Sequence, residues 1–295
     1  MRPGLGHTPA RFEALAELGR TDLSLARIAE AHFDAAAILS EAGHEPRAGA
    51  LYGVWACDGP NSRLTAERGS DGAWRLEGIK QYCSGAPFLH AALVTAHHEG
   101  SVLLFDVSMR QKGIRVLQSS WETPAMNDTG TVPVKFEGVT VAPAYQIGSG
   151  DWYLQRPGFW HGAIGPAACW AGGAFSLIDA ALGLNRHDPH SKAHLGALLA
   201  HAWSLRTWMI HAGQEIDADP SDTHGQARVR ALKVRHLIER TCTEVLDRFG
   251  RATGPQLLAY DAHVARQHMA LALYIRQCHA ERDLEALADA SIEAC

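Results

Sequence analysis

The hydrophobic pattern of this chain changes its period twice, and this change limits the folds open to it. Residues 10–42 carry apolar side chains at helical spacing. Between residues 50 and 148, short apolar or alternating runs are separated by Gly, Pro, Asn and Asp, which is typical of a small antiparallel sheet. Helical spacing returns from Trp152 onward. We therefore predict an α+β chain with N-terminal helices, a middle antiparallel β domain and a C-terminal helical bundle.

The predicted domains cover residues 1–47, 48–148 and 149–295, and a hydrophobic content of 46% is enough to build their cores. In the first domain, Asp22 and Ser24 stand where a helix cap is expected. One apolar helix face is predicted there, formed by Leu25, Ile28, Ala29, His32, Ala35, Ala36 and Leu39. Further helical stretches are predicted near residues 192–217, 225–251 and 256–291.

Several classes of protein do not fit the composition. The formal charge is −5 and no basic stripe is present, so a nucleic-acid partner is not expected. The first fifteen residues lack the apolar core of a signal peptide, and no apolar run approaches the roughly 20 residues of a membrane helix. The six cysteines are scattered without a Cys-x-x-Cys pair, which favours reduced thiols. We expect a soluble cytoplasmic protein with no membrane partner.

The stretch GIKQYCSGA, residues 78–86, follows an alternating run that is typical of a strand. Its end carries Tyr82, Cys83 and Ser84, which are flat or small groups that a strand end could present to a planar ligand. The alternative is a strand end with a buried tyrosine and a hydrogen-bonded serine and no ligand. The surrounding sequence favours the ligand.

The order of the three domains, with four local motifs, resembles the acyl-CoA dehydrogenase superfamily of flavoproteins. The resemblance covers roughly Leu18 to Glu285, and each motif occurs in the family's order. The matching segments are DLSLARIAEAHFDAAAIL, GAWRLEGIKQYCSGAPFLHAALVTA, AMNDTGTVPVKFEGVTVAP and AACWAGGAFSLIDAAL. The N-terminal helical region is shorter than in the family, and Gly85 follows Ser84 one residue earlier than the family's pattern has it.

The resemblance implies an FAD site at the strand end identified above. In the family, the residue that matches Ser84 gives its hydroxyl or backbone N–H to the flavin ring, and the residue that matches Tyr82 lies beside that ring. Cys83 belongs to the same cofactor segment, and Trp55 and Ala56 would offer backbone groups to the pyrimidine edge. Fixed donors of this kind stabilise the charge of a reduced flavin. A dinucleotide-binding Gly-x-Gly-x-x-Gly after a strand is absent, and the family binds FAD without one.

The segment NRHDPHSKAHLG stands where the family has a phosphate-binding R-x-x-F-G motif. The motif is not intact, but Arg186 and Lys192 are candidates for the diphosphate of FAD. His190 and His194 are four residues apart and would share a helical face. Because no acidic or cysteine partner is spaced to complete a ligand set, we predict no metal site.

The catalytic base of the family's dehydrogenases is a glutamate, and it aligns here near Gln277 or Cys278. Glu281 lies one helical turn away and could take its place. Some members carry the glutamate at the start of the first bundle helix, which makes His161 the second candidate. The alternatives are that Glu281 is a solvated surface charge and that His161 is a packed histidine.

The resemblance implies an FAD-dependent oxidoreductase that forms an α,β-double bond in an acyl thioester, such as an acyl-CoA, or in a related carbonyl compound. Its electrons would leave through a separate electron-transfer protein, and the chain would form a homodimer or homotetramer. One alternative is a flavin-dependent monooxygenase of the same fold, which the missing glutamate favours. The other is a non-catalytic subunit, which the short N-terminal region and the altered phosphate segment favour.

Overall fold

The computed structural model of the chain describes residues 2–59, 62–118 and 121–292. Its helices are α1 (Thr8–Thr21), α2 (Leu23–Glu41), α3 (Trp152–Gln155), α4 (Pro157–Gly162), α5 (Gly165–Gly183), α6 (Pro189–Ala218), α7 (Ala227–Thr253), α8 (Pro255–Tyr260), α9 (Ala262–Tyr274) and α10 (Glu281–Ile292). Its strands are β1 (Tyr52–Trp55), β2 (Leu64–Arg68), β3 (Trp74–Cys83), β4 (Ala91–His98), β5 (Ser101–Ser108), β6 (Ile114–Val116), β7 (Val132–Val141) and β8 (Gln146–Ile147). The predicted α+β order of helices, sheet and helices is confirmed.

The N-terminal region forms two helices, where one helical pattern was predicted. Asp22 interrupts the pattern, and its carboxylate accepts hydrogen bonds from the backbone N–H groups of Ser24 (2.7 Å) and Leu25 (3.0 Å). This is a helix N-cap, so the expectation for Asp22 is confirmed, while Ser24 lies inside α2.

The predicted apolar face of α2 is buried only in part. Ala35 and Leu39 are buried as predicted, but Leu25 is 50% exposed, and the buried Ala26 and Ile38 lie outside the predicted face. The reason is that α2 packs against α5 of the bundle and also against β1 of the sheet. Its buried side chains therefore follow two faces, which a single helical stripe does not describe.

The eight strands form one sheet in the order β6-β7-β3-β2-β4-β5-β8, with β1 beside β4. Most neighbours are antiparallel, as predicted, but β4 pairs in parallel with β1 and with β2. The strand β2 and the short β8 were not predicted. The apolar face of the sheet encloses a core of its own, to which Val134 and Phe136 of β7 contribute.

The Gly/Ala-rich helix α5 lies at the centre of the bundle, in contact with α1, α6, α7 and α9. A Cβ atom at Gly172 would collide with the carbonyl oxygen of Ala16 in α1, and a Cβ atom at Gly173 would lie 2.7 Å from Leu23. Within one chain, Gly172 therefore serves the close approach of α5 to α1, and Gly173 serves the approach of α5 to the start of α2.

The predicted stretch 256–291 is not one helix. It breaks before Asp261, which caps α9 by accepting hydrogen bonds from two backbone N–H groups, and again between α9 and α10, where Ala280 has a left-handed backbone (φ 48°). The second break forms a bend that borders the cavity described below.

The helices α1 and α2 lie within residues 1–47, the strands within 48–148, and α3–α10 within 149–295. Among the described helices, none has the length and the apolar character needed to cross a membrane. Cys57, Cys83, Cys169, Cys242 and Cys278 are free thiols, and Cys295 lies outside the described residues.

Candidate functional site

A cavity of about 610 Å³ lies where the N-terminal helices, the sheet and the bundle meet. This size is in the range of small-molecule sites. Its walls come from α2, the end of β1, the segment α3–α5, the helix α7 and the bend before α10. Each predicted domain thus contributes to it.

Two carboxylates of α2, Glu30 and Asp34, line the cavity. They are four residues apart and therefore share one helical face. Opposite them stand two glycines: a Cβ atom at Gly162 would lie 2.7 Å from Asp34 Oδ1, and one at Gly165 would lie 3.1 Å from Glu30 Oε1. The absence of side chains at these positions gives the carboxylates their room.

Glu30 is buried and forms an ion pair with Arg27, with 3.1 Å between Oε2 and Nη1. Burial raises the pKa of Glu30 to about 7, because it disfavours the charged form. The Arg27 guanidinium opposes this shift, and the nearby Asp34 carboxylate adds to it. The side chain can therefore take up or release a proton near neutral pH.

Asp34 has neither a hydrogen-bond nor an ion-pair partner in the part of the chain that the structure describes. Burial raises its pKa, although the charges of Arg156, Arg11 and Arg27 work in the opposite direction. Asp34 is half-buried, and its carboxylate oxygens are not among the buried side-chain atoms that lack a partner, so they face the solvent of the open cavity. A carboxylate placed in this way is the kind of group that a bound ligand satisfies.

Arg156, by contrast, is held within the wall. Its Nη1 donates to Glu41 Oε2 at 2.6 Å, and its guanidinium lies 5.3 Å from the centre of the Tyr153 ring. A side chain at Gly158 would collide with this ion pair. The pair ties the end of α2 to the beginning of α4.

Three aromatic rings from residues on either side of Arg156 in the sequence form another part of the cavity wall. Tyr153 and Phe159 meet edge to face with centroids 5.4 Å apart, and Phe159 and Trp160 do so at 5.2 Å. All three rings line the cavity. Contacts of this type hold rings in fixed orientations, so the wall offers a stable surface for a flat ligand.

The bend before α10 closes the opposite side. Arg235 of α7 donates to the backbone oxygens of Ala163 (2.6 Å) and Gln277 (3.0 Å) and so fixes the bend. Asp283 accepts from the backbone N–H of His279 at 3.0 Å, and its other oxygen lies 3.3 Å from the His279 ring. Arg235 and Asp283 thus have partners within the chain.

The predicted cofactor residues Trp55, Ala56 and Ser84 lie together. The indole N–H of Trp55 donates to the backbone oxygen of Ser84 at 3.1 Å, and Ala56 lines the cavity. The Thr131 hydroxyl donates to Ser84 Oγ at 2.9 Å, which leaves the Ser84 proton available to a ligand. Trp55 and Ser84 do not themselves line the cavity, and their part in holding a flavin ring stays a prediction.

The other two residues of the strand end differ from each other. Tyr82 is 56% exposed and has a left-handed backbone (φ 55°), at an irregular point of the β3–β7 pairing. Such a backbone is uncommon for a tyrosine and fits a constrained strand end. Cys83 is fully buried in the core of the sheet, and burial raises the pKa of its thiol. Its side chain packs inward, and its part in cofactor binding stays a prediction.

Arg186 and Lys192 do not line the cavity. Arg186 donates to the backbone oxygens of Ala252 (3.0 Å) and Thr253 (3.4 Å) at the end of α7. Lys192 is exposed on α6. Their role in phosphate binding stays a prediction. Within the described ranges, no three His, Cys, Asp or Glu residues are grouped as metal ligands.

The two candidate bases, His161 and Glu281, lie in different surroundings. His161 is buried, its Nε2 is 3.1 Å from the Pro220 oxygen, and burial lowers its pKa. Glu281 is exposed in the first turn of α10. Neither side chain lines the cavity, whereas Gln277 does. Their catalytic roles stay predictions.

Sequence reasoning missed Glu30 and Asp34. The available signal was two carboxylates four residues apart inside the otherwise apolar run ARIAEAHFDAAAIL. An acid buried on an apolar helix is uncommon unless it is paired or functional.

Solved structures that share the fold of this chain include three enzymes. The first is a complex of TdsC, a dibenzothiophene monooxygenase from Paenibacillus sp. A11-2, with FMN and indole; its TM-score is 0.85 and its identity 18%, and the match covers 95% of this chain and 82% of that one. The second is a nitrososynthase from Micromonospora carbonacea var. africana, with a TM-score of 0.82, 21% identity, and coverage of 97% of this chain and 82% of that one. The third is the methanesulfinate monooxygenase MsuC from Pseudomonas fluorescens, with a TM-score of 0.80, 17% identity, and coverage of 97% of this chain and 83% of that one. The chain has the acyl-CoA dehydrogenase-like fold. No protein-family model and no curated protein matches it.

Proposed function

We propose that the protein is a flavin-dependent monooxygenase that uses reduced flavin and oxygen on a small molecule held in the cavity. The observation that carries this proposal is the nature of the bend before α10. The positions near which the dehydrogenase glutamate aligns are Gln277, an amide that lines the cavity and cannot act as a base, and Cys278, a buried thiol whose pKa is raised by burial. Of the two carboxylates nearby in sequence, Glu281 is exposed and does not line the cavity, and Asp283 is engaged by His279.

The fold supports the same choice, since TdsC and MsuC are monooxygenases and TdsC is bound to FMN. We expect FMN here in place of the FAD predicted from the sequence. The reason is that Arg186, a candidate for the additional phosphate of FAD, already caps α7. The Ser84 hydroxyl and the backbone near Ala56 are the groups that would hold the ring.

Reducing equivalents have to come from outside the chain. The sequence carries no Gly-x-Gly-x-x-Gly after a strand, so a Rossmann-type nicotinamide site is unsupported. We propose that a separate reductase supplies reduced flavin. That partner takes the place of the electron-acceptor protein that the dehydrogenase prediction required.

Reduced flavin, when bound, supplies the electrons with which one oxygen atom of O₂ enters the substrate and the other leaves as water. The protein orients the reactants and excludes water. The wall of Tyr153, Phe159 and Trp160 is the apolar surface for the substrate. Glu30 and Asp34 can hold a proton at their carboxylate oxygens for the proton transfers that accompany turnover.

We also propose that the chain forms homo-oligomers through α6. Leu199, Trp203 and Ile210 follow one another at intervals of four and seven residues and lie on one face of this helix. They are 50%, 69% and 49% exposed in the single chain. An exposed apolar face of this kind is typical of a protein–protein contact.

The test loads the protein with FMN under anaerobic conditions and follows the flavin spectrum. For a monooxygenase, acyl-CoA compounds leave oxidised flavin unchanged, whereas pre-reduced FMN is reoxidised by O₂ with oxygenation of an aromatic substrate. Bleaching of oxidised flavin by an acyl-CoA would instead support the dehydrogenase prediction. Failure to bind either FMN or FAD would support the non-catalytic subunit.

A further inference from the structure

Asp34 differs from the other charged groups of the cavity wall that are not exposed; Arg282, which also lines the cavity without a side-chain partner among the described residues, is exposed to solvent. Among the described residues, Glu30 is paired with Arg27, Arg156 with Glu41, and Asp283 with His279. Arg235 donates to two backbone oxygens. Asp34 lines the same cavity with no such partner.

The aromatic wall lies next to this carboxylate. Gly162, whose missing side chain makes room for Asp34 Oδ1, ends the helix α4 that carries Phe159 and Trp160. The pKa of Tyr153 is raised, mainly by burial and to a smaller extent by the negative charge of Asp34, so the two side chains lie close enough to interact. A ligand stacked on the wall would therefore have one edge near Asp34.

We propose that the cavity selects flat aromatic compounds that carry an O–H or N–H group, and that Asp34 is the acceptor that recognises this group. The inference rests on the proposed function in one respect, namely that the cavity is the substrate site. Phenols and indoles are compounds of the required kind. Analogues in which a methyl group replaces the donor hydrogen would leave the carboxylate without a partner and are rejected.

Glu30 gives this recognition a dependence on pH. A bound donor stabilises the charged form of Asp34, so binding lowers the pKa of the carboxylate pair formed by Glu30 and Asp34 and releases a proton to solvent. Affinity for the donor compound therefore rises as the pair loses its proton. The groups that face the pair are Arg11 of α1, Arg27 and Glu41 of α2, Tyr153 of α3, Arg156 between α3 and α4, and Arg235 of α7.

The test measures binding to the flavin-free protein by calorimetry, with two matched pairs of compounds: phenol with anisole, and indole with 1-methylindole. We expect the unmutated protein to prefer phenol and indole by roughly ten- to hundred-fold, which corresponds to a hydrogen bond to a charged group. Asp34→Leu should reduce this preference to about one-fold. Asp34→Asn, which keeps a neutral acceptor, should give an intermediate value.

Two further measurements separate recognition from a structural role. Because Asp34 has no partner, Asp34→Leu should leave the melting temperature unchanged or raise it, whereas Glu41→Gln, which breaks the ion pair with Arg156, should lower it. Binding of phenol in buffers of different ionisation enthalpy should show net proton release that decreases in the Glu30→Gln variant.

The inference is overturned if the unmutated protein binds each methylated compound as well as its parent, or binds neither parent at millimolar concentration. It is equally overturned if Asp34→Leu keeps the preference. None of these results depends on flavin or on turnover. A donor preference without oxygen-dependent turnover would therefore refute the proposed function and leave the inference standing.

Discussion

Alanine in place of glycine should lower stability without weakening ligand binding at Gly172, and should weaken ligand binding with little effect on stability at Gly162. At Gly172 the new Cβ atom would meet backbone atoms of α1, including the carbonyl carbon of Ala16 and the nitrogen of Arg20, both at 2.8 Å. At Gly162 it would lie 2.7 Å from Asp34 Oδ1, the end of a side chain that can rotate. Both distances are short of a normal contact, but only the second can be relieved without moving a helix.

The change in the free energy of unfolding at each position depends on which group has to move to relieve the short contact. Relief at Gly172 requires α1 and α5 to separate, and overpacking of this kind costs about 1–3 kcal/mol or more. The gain in helix propensity returns up to about 1 kcal/mol. A net loss of about 2 kcal/mol corresponds to a melting temperature lower by about 4–8 °C in a chain of this size. At Gly162, rotation of Asp34 costs about 0.5–1.5 kcal/mol, and the same propensity gain offsets it.

Thermal unfolding and calorimetric binding of phenol measure the two effects. Gly172→Ala should lower the melting temperature and leave the affinity of the folded protein for phenol unchanged. Gly162→Ala should melt close to the unmutated protein but bind phenol at least several-fold more weakly, since the carboxylate has moved. If Gly162→Ala binds phenol normally, the contact between this glycine and Asp34 does not shape the site. If Gly172→Ala is as stable as the unmutated protein, the α1–α5 approach is not as tight as the structure indicates.

Three other substitutions test the cofactor site, the assembly and the buried acid. Ser84→Ala removes a hydrogen-bond donor to the flavin and should weaken FMN binding by roughly ten-fold or more, as measured by fluorescence titration; unchanged affinity would remove Ser84 from the site. Trp203→Glu should dissociate the oligomer in light scattering, whereas Tyr260→Glu, at a residue that is 89% exposed on α8, should not. Glu30 has a pKa raised to about 7 in the folded chain, above its unfolded value, so its contribution to stability is present at low pH and is lost as pH rises through 7. Glu30→Gln should therefore flatten the dependence of the unfolding free energy on pH between about 4.5 and 7, and an unchanged slope would contradict the assignment.

The sheet was predictable where its strands alternate cleanly, and less so where they do not. In β7, Val132, Val134 and Phe136 are buried on one side, and the sequence shows this directly. In β2 only Leu64 and Ala66 are buried, and their exposed neighbours include charged side chains. Such a short half-polar strand has too weak a pattern to be distinguished from a loop. Its parallel pairing with β4 depends on the tertiary fold and has no local signal.

The helical bundle shows a different limit. The glycines of α5 indicated a close helix contact, but composition does not say which helix makes that contact. The structure assigns it to α1 of the same chain. An exposed apolar face remains on α6, formed by Leu199, Trp203 and Ile210, and we propose it as the contact with a second copy. An interface is thus easier to recognise by what the folded chain leaves exposed than by residues suited to packing.

The residues proposed for the cofactor and the residues of the cavity wall differ in how far the sequence could predict them; the cofactor role of Trp55 and Ser84 stays a prediction. Trp55 and Ser84 belong to strand ends, whose position follows from the strand pattern and whose side chains suit a planar ligand. The position of the Asp34 carboxylate depends on Gly162, which is 128 positions later in the chain and provides the space for it. Read alone, the acid is typical of a solvated helix face and the glycine of a weak helix end. Only their contact in the folded chain leaves a half-buried carboxylate without a partner beside an aromatic wall, and a group placed in this way is better explained by what it binds than by what it stabilises.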